Sequence, residues 1–322
     1  EVPDERLQKL TELVKPQKTV TTTFEFTDIA GIVEGASKGE GLGNQFLSHI
    51  RQVDAISHVV RCFSDENITH VSGSVDPLRD IQVINLELIL ADLETVEKRL
   101  ARTAKVAKTK DKQALAELEV LEMLKETLEN EKPARSIPFT KEQQPIVKQL
   151  HLLTMKPVLY VANVGEDDIL SPDDNEFVKQ VKQYAATENS EVIVVCAKIE
   201  AEIAELDEEE KRLFLEELGI KESGLDQLIR AAYSLLGLQT YFTAGEKEVR
   251  AWTFKKGTKA PQAAGIIHSD FERGFIRAEV VSFDDLLEAG SMQAARENGK
   301  VRLEGKDYVV QDGDIIHFRF NV

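Results

Sequence analysis

The chain has 322 residues, of which 42% are hydrophobic and 30% charged, enough apolar side chain to bury a large core and too ordered a mixture for a disordered chain. Its 57 acidic and 40 basic side chains leave a net charge of −17, which excludes a surface covered in phosphate contacts but not a local basic patch. At ~150 residues per domain the length suggests about two domains, with room for a third. Cys62 and Cys196 both sit in apolar runs and read as buried free thiols rather than a disulfide, a metal site or a nucleophile. No apolar run reaches the ~18 residues of a membrane span, and no signal peptide is visible. A cytoplasmic protein without membrane contact is expected. The chain opens on Glu1, in the middle of a pattern, so a preceding segment is expected.

Residues 5–14 carry Leu7, Leu10, Leu13 and Val14 at helical spacing. Thr19 to Ile29, rich in Thr and Phe, reads as a strand. A glycine-dense stretch follows with Gly31, Gly35, Gly39, Gly41 and Gly43, then a helical run over 44–53 and an apolar strand over 58–63, in which His58 reads as structural. From residue 80, Ile81, Ile84, Leu88, Leu93, Val96 and Leu100 recur at threes, fours and fives, as do Leu115, Leu118, Leu121, Leu124 and Leu128. The spacing predicts two long antiparallel helices joined near Thr109–Asp111. The tip is basic, with Lys105, Lys108 and Lys110 among its charges, and is either a solvated helix surface or a contact for an acidic partner such as RNA. Short apolar strands at 157–163 and 191–197 alternate with helices at 173–187, 206–217 and 224–236, the pattern of a parallel α/β sheet. From about 237 the texture turns to short strands, at 249–254, 275–281, 308–310 and 315–320. Asp312-Gly313 is a hairpin signal between the last two. Residues 237–322 hold 12 basic and 13 acidic side chains, near neutral against −16 for the rest, which marks a separate small α+β domain.

Asp28-Ile29-Ala30-Gly31 has the D-x-x-G pattern of nucleoside triphosphatases. There the carboxylate reaches Mg²⁺ through water, and the glycine N–H approaches the γ-phosphate where a side chain would not fit. Asn163-Val164-Gly165-Glu166 follows a buried strand at the place of N-K-x-D, whose Asp accepts from guanine's ring N–H and amine. Val and Glu at the Lys and Asp positions should relax guanine selectivity. Cys196-Ala197-Lys198, 33 residues on, resembles the S-A-K loop along the base edge.

With these motifs the chain resembles the YchF/Obg-like ATPases, relatives of the Obg GTPases, over essentially its whole length. The most specific stretch is DIAGIVEGASKGEGLGNQFL at residues 28–47. Asn163 to Glu166, QTYFTAGEKEVRAW (239–252) and KDYVVQDGDIIHFRFNV (306–322) also match. The resemblance implies a P-loop NTPase-type, mostly parallel α/β sheet with an inserted antiparallel helical coiled coil and a C-terminal TGS domain of β-grasp, ubiquitin-like fold. In this sequence the divisions fall at 1–79 and 141–236 for the nucleotide-binding domain, 80–140 for the insertion and 237–322 for the TGS domain. It implies a Mg²⁺-dependent ATPase that takes GTP less well and acts as a ribosome-associated switch in translation and stress control, with rRNA and nucleotide as partners and no DNA.

The site residues follow from matching positions. Asp28 is linked to Mg²⁺ and Gly31 senses the γ-phosphate. Asn163, Val164 and Glu166 hold the base, with Cys196, Ala197 and Lys198 as the far wall. Apart from these matches, the basic run of the hairpin tip offers Lys105, Lys108 and Lys110 as the ribosome contact. Ile32 stands where related enzymes place a water-orienting Gln, and the resemblance puts a loop histidine, His70, in that role. The family's phosphate-cradling loop is expected to be absent from this chain, so this chain alone is expected to be inactive. Two other readings stay open, a non-catalytic adaptor for RNA or the ribosome and a GTPase.

Overall fold

The computed structural model describes residues 1–29, 43–64 and 73–322, with only the backbone described at 43–45. These residues form two compact units, one made of 1–26 and 229–322 and the other of 27–228. Helix α1 (Glu5–Val14) starts where the Asp4 carboxylate accepts from the Arg6 N–H, and it ends at Lys15 in the left-handed region. After it, strand β1 (Lys18–Val20) lies parallel to Glu248–Arg250. The long strand expected over Thr19 to Ile29 is therefore three residues, and its partner is C-terminal. Residues 1–26 fold with the C-terminal unit, which corrects the division at 1–79. The physical reason is burial, since Leu7 and Leu10 fill a core made by Phe242, Val249, Phe283 and Leu286, and each side chain so buried contributes about 2 kcal/mol.

In the unit 27–228, α2 (Gly43–Gln52) precedes β2 (Ile56–Arg61). Asp76 caps α3 (Pro77–Ala107), whose 31 residues span about 46 Å. A four-residue turn with Lys110 at φ 62° leads to α4 (Lys112–Glu129), capped by Asp111. The apolar stripes Ile89, Val96, Val120, Leu121, Leu124 and Leu128 close the seam of this hairpin. Arg99 pairs with Glu117 across it.

After α5 (Gln144–Lys148) come β3 (Val158–Asn163), α6 (Glu176–Thr187), β4 (Val192–Val195), α7 (Ala197–Ile203), α8 (Glu208–Leu218) and α9 (Gly224–Leu235). The three strands are parallel in the order β2-β3-β4. Central β3 is a continuous buried run because neighbours flank it on both edges and helices cover it. Its core joins Cys62, Tyr160, Val164, Val178, Val181 and Cys196. His58 on β2 is buried there, beside the Tyr160 ring.

The C-terminal unit continues with β5 (Leu238–Ala244), β6 (Glu248–Lys255), α10 (Ala260–Ile267), α11 (Ser269–Arg273), β7 (Phe275–Ser282), α12 (Phe283–Ala289), α13 (Met292–Glu297), β8 (Arg302–Glu304) and β9 (Asp314–Phe320). The mixed sheet runs β1-β6-β5-β9-β7-β8. Its second core is Tyr241, Phe254, Ala264, Ile316 and Phe318. Tyr308 to Val310 forms no strand, only a bridge from Val309 to Lys259, so Asp312-Gly313 is not a hairpin turn. Instead the Asp312 carboxylate accepts from the Thr240 N–H at 2.9 Å, and the Gly313 N–H donates to the Thr240 carbonyl at 2.8 Å. Gly313, at φ 87°, supplies the left-handed residue this approach requires.

Candidate nucleotide-base site

The C-terminal ends of β3 and β4 lie side by side because the two strands are paired in register, Asn163 opposite Val195. That register brings Asn163-Val164-Gly165-Glu166 against Cys196-Ala197-Lys198, and two contacts tie them. The Asn163 Oδ1 accepts from the Ala197 N–H at 3.0 Å, fixing the first turn of α7. One residue on, the Lys198 Nζ meets the Glu166 Oε1 at 2.9 Å, and Glu166 raises the lysine's pKa.

The residues divide by direction. The side chains of Val164 and Cys196 are buried in the sheet core, so what they offer a ligand is backbone. Glu166, Ala197 and Lys198 are exposed and Asn163 is half-buried, so these four form the accessible face. Burial pushes the Cys196 thiol up, and pushes Cys62 up to about 12 with help from the Asp80 charge. Both are free cysteines with the character of core residues.

A second support was not legible in the motif. Glu200 on α7 accepts from the Gly224 N–H at 2.6 Å and anchors the start of α9 against β4. A Cβ at Gly224 would meet Val195 at 2.8 Å, so only glycine permits that approach. The signal was present as Ile199 and Ile203, four residues apart and both buried, the apolar side of a short helix.

Asp28 is exposed, outside any strand, and makes no ion pair with another described residue. Its neighbour Ile29 packs on Leu47, Ile50, Leu88 and Leu153. One accessible carboxylate suits Mg²⁺, which keeps much of its water and takes one or two protein carboxylates beside substrate phosphates. Among the described residues no three or more His, Cys, Asp or Glu converge into a metal cage, and no helix is long and apolar enough to cross a membrane. Gly31, Ile32 and His70 lie outside the described residues. At the far end of the hairpin Lys105, Lys108 and Lys110 are all exposed.

Two family models match the chain. The 50S ribosome-binding GTPase family matches residues 7–137. The YchF-GTPase C-terminal family, described as a protein of unknown function, matches residues 238–321. The chain is 75% identical over 322 residues to the ribosome-binding ATPase YchF of Bacillus subtilis (strain 168), covering 100% of this chain and 88% of that protein. It is 56% identical over 321 residues to the protein of the same name from Escherichia coli O157:H7, with the same coverage. The structure of the Schizosaccharomyces pombe YchF GTPase matches with a TM-score of 0.89 at 40% identity, over 99% of this chain and 86% of that one. The GTPase match begins at residue 7. It does not bear out the expectation that the chain lacks the family's phosphate loop and is inactive on its own.

Proposed function

The chain belongs to the YchF family, and on that premise we propose that it hydrolyses nucleoside triphosphates, ATP in preference to GTP, in a Mg²⁺-dependent cycle that switches its binding to ribosomes. The observation that carries this reading is the tied pair of loops at the ends of β3 and β4. Asn163, Glu166, Ala197 and Lys198 line one accessible face, and the residue that follows Asn163 is Val164, buried in the core, where N-K-x-D has its lysine. A base laid there would meet the amide of Asn163 and the backbone of 197–198 at its edge.

Asp28 would hold Mg²⁺ through water. When bound, the ion would neutralise charge that develops on the phosphates. Gly31 would sense the γ-phosphate, and His70 would orient the attacking water. The reading takes 80–140 as a coiled-coil insertion and 237–322 as a TGS domain of β-grasp fold. The exposed Lys105, Lys108 and Lys110 support a contact with rRNA, because a basic cluster on a −17 chain concentrates its attraction for phosphate at one place. Action on ribosomes would place the protein in the cytoplasm.

The test is competition of ATP and GTP for the full-length protein, followed by co-sedimentation with ribosomes in each nucleotide state. ATP preference and nucleotide-dependent sedimentation are expected. Reversing Lys105, Lys108 and Lys110 to Glu should weaken sedimentation at least ten-fold at low salt and leave ATP binding unchanged. Equal affinity for the two nucleotides would overturn the base reading, and unchanged sedimentation would overturn the assignment of the tip.

A further inference from the structure

We propose that Lys198 determines base selectivity in this site by engaging one oxygen of the Glu166 carboxylate and presenting an ammonium beside it. The inference rests on reading the loop pair as a nucleotide-base site. Guanine offers two donors on this edge, the ring N1–H and the 2-amino group, and a free carboxylate accepts both. Adenine offers an acceptor at N1 and has no 2-amino group. Glu166 stands where the carboxylate would act, yet its Oε1 is held by the Lys198 Nζ at 2.9 Å. A lysine ammonium has three donors and no acceptor. The pair therefore engages one carboxylate oxygen and sets an ammonium donor beside the other at the position that reads the purine edge, which adds a partner for adenine N1 and weakens the acceptor that guanine N1–H would use.

The geometry fixes the lysine. Asn163 pins the Ala197 N–H at 3.0 Å, so the first turn of α7 is held against the end of β3 and Lys198 is aimed back at Glu166. Both side chains are largely exposed, at 74% and 47%. An ion pair so exposed is weak, which limits the effect to about five-fold in affinity. A glutamate alone at this position need not reject guanine, since the carboxylate is still present, and the discrimination lies in what the carboxylate is bonded to.

The experiment measures ATP, GTP and ITP in competition with a fluorescent ATP analogue on the full-length protein and on Lys198→Met, with circular dichroism to confirm folding. ITP has guanine's N1–H and lacks its 2-amino group. In Lys198→Met the ATP:GTP preference is expected to fall about five-fold, with GTP gaining more than ITP. Adding Glu166→Gln to Lys198→Met should abolish the gain, because the carboxylate that accepts both donors is gone. An unchanged ATP:GTP ratio in folded Lys198→Met would overturn the proposal. So would equal weakening of all three nucleotides, the mark of a lysine that only latches the loops. A wild-type protein with no ATP preference would instead overturn the base reading itself, before any variant is compared.

Discussion

Replacing Asp92 by alanine should destabilise the unit 27–228 by about 3–5 kcal/mol. Asp92 lies on α3 with no exposed surface. Its Oδ1 accepts from the Leu153 N–H at 2.8 Å, and its Oδ2 accepts from the Thr154 N–H at 2.8 Å and the Thr154 hydroxyl at 2.6 Å. The Thr154 Oγ1 in turn accepts from the Ala134 N–H at 2.9 Å. One carboxylate thus ties the root of the helical hairpin to the segment that enters β3. Alanine removes an acceptor from three buried donors, and each donor left unpaired in the interior costs roughly 1–3 kcal/mol, less what water or relaxation restores. Asp92→Asn keeps one acceptor but turns an N–H toward a donor, so it should fall between wild type and alanine. Urea unfolding followed by far-UV circular dichroism, with a second probe on Trp252 in the other unit, reads the effect. A loss under 1 kcal/mol in Asp92→Ala would refute the reasoning, since the three bonds would then carry no net weight.

Burial lowers the pKa of His58 to about 4, against a weaker upward pull from Asp80 and Glu188. A histidine near 6.5 when unfolded and about 4 when folded contributes stability that is complete above pH 6.5 and is lost as pH falls toward 4, roughly 3 kcal/mol in all. The urea midpoint should fall over that window, and the fall should flatten in His58→Met. An identical pH profile in the variant would assign the dependence to other groups. Because burial holds the Cys62 and Cys196 thiols above their usual range, neither should react with a disulfide reagent at pH 8 until urea is added, when two equivalents should react. Fast labelling of the native protein would contradict their placement in the core.

The alternation of strands and helices over 157–236 was legible because each strand there is a short run of buried apolar residues and each helix carries its own period. The helical hairpin was legible for the same reason, since Leu121, Leu124 and Leu128 sit on one stripe whatever they pack against. The candidate base site was legible as two short motifs separated by one strand–helix–strand unit, though the motifs gave no direction to the side chains. Val164 and Cys196 read as base contacts, and the structure buries both.

Local period and composition alone dictate the parallel α/β character of the middle, the helical hairpin with its basic tip and the β-rich texture of the C-terminal part. The rest comes from long-range packing. It joins residues 1–26 to a sheet more than 200 positions away, through Lys18–Val20 on β6 and Leu7 and Leu10 in its core. It shortened the Thr- and Phe-rich strand to three residues, since β propensity is realised only where a partner edge exists. It set Lys198 on Glu166 and Asn163 on Ala197, contacts fixed by the register of β3 on β4. Pairing across long separations depends on which surfaces bury each other, and local sequence pattern carries no record of the partner.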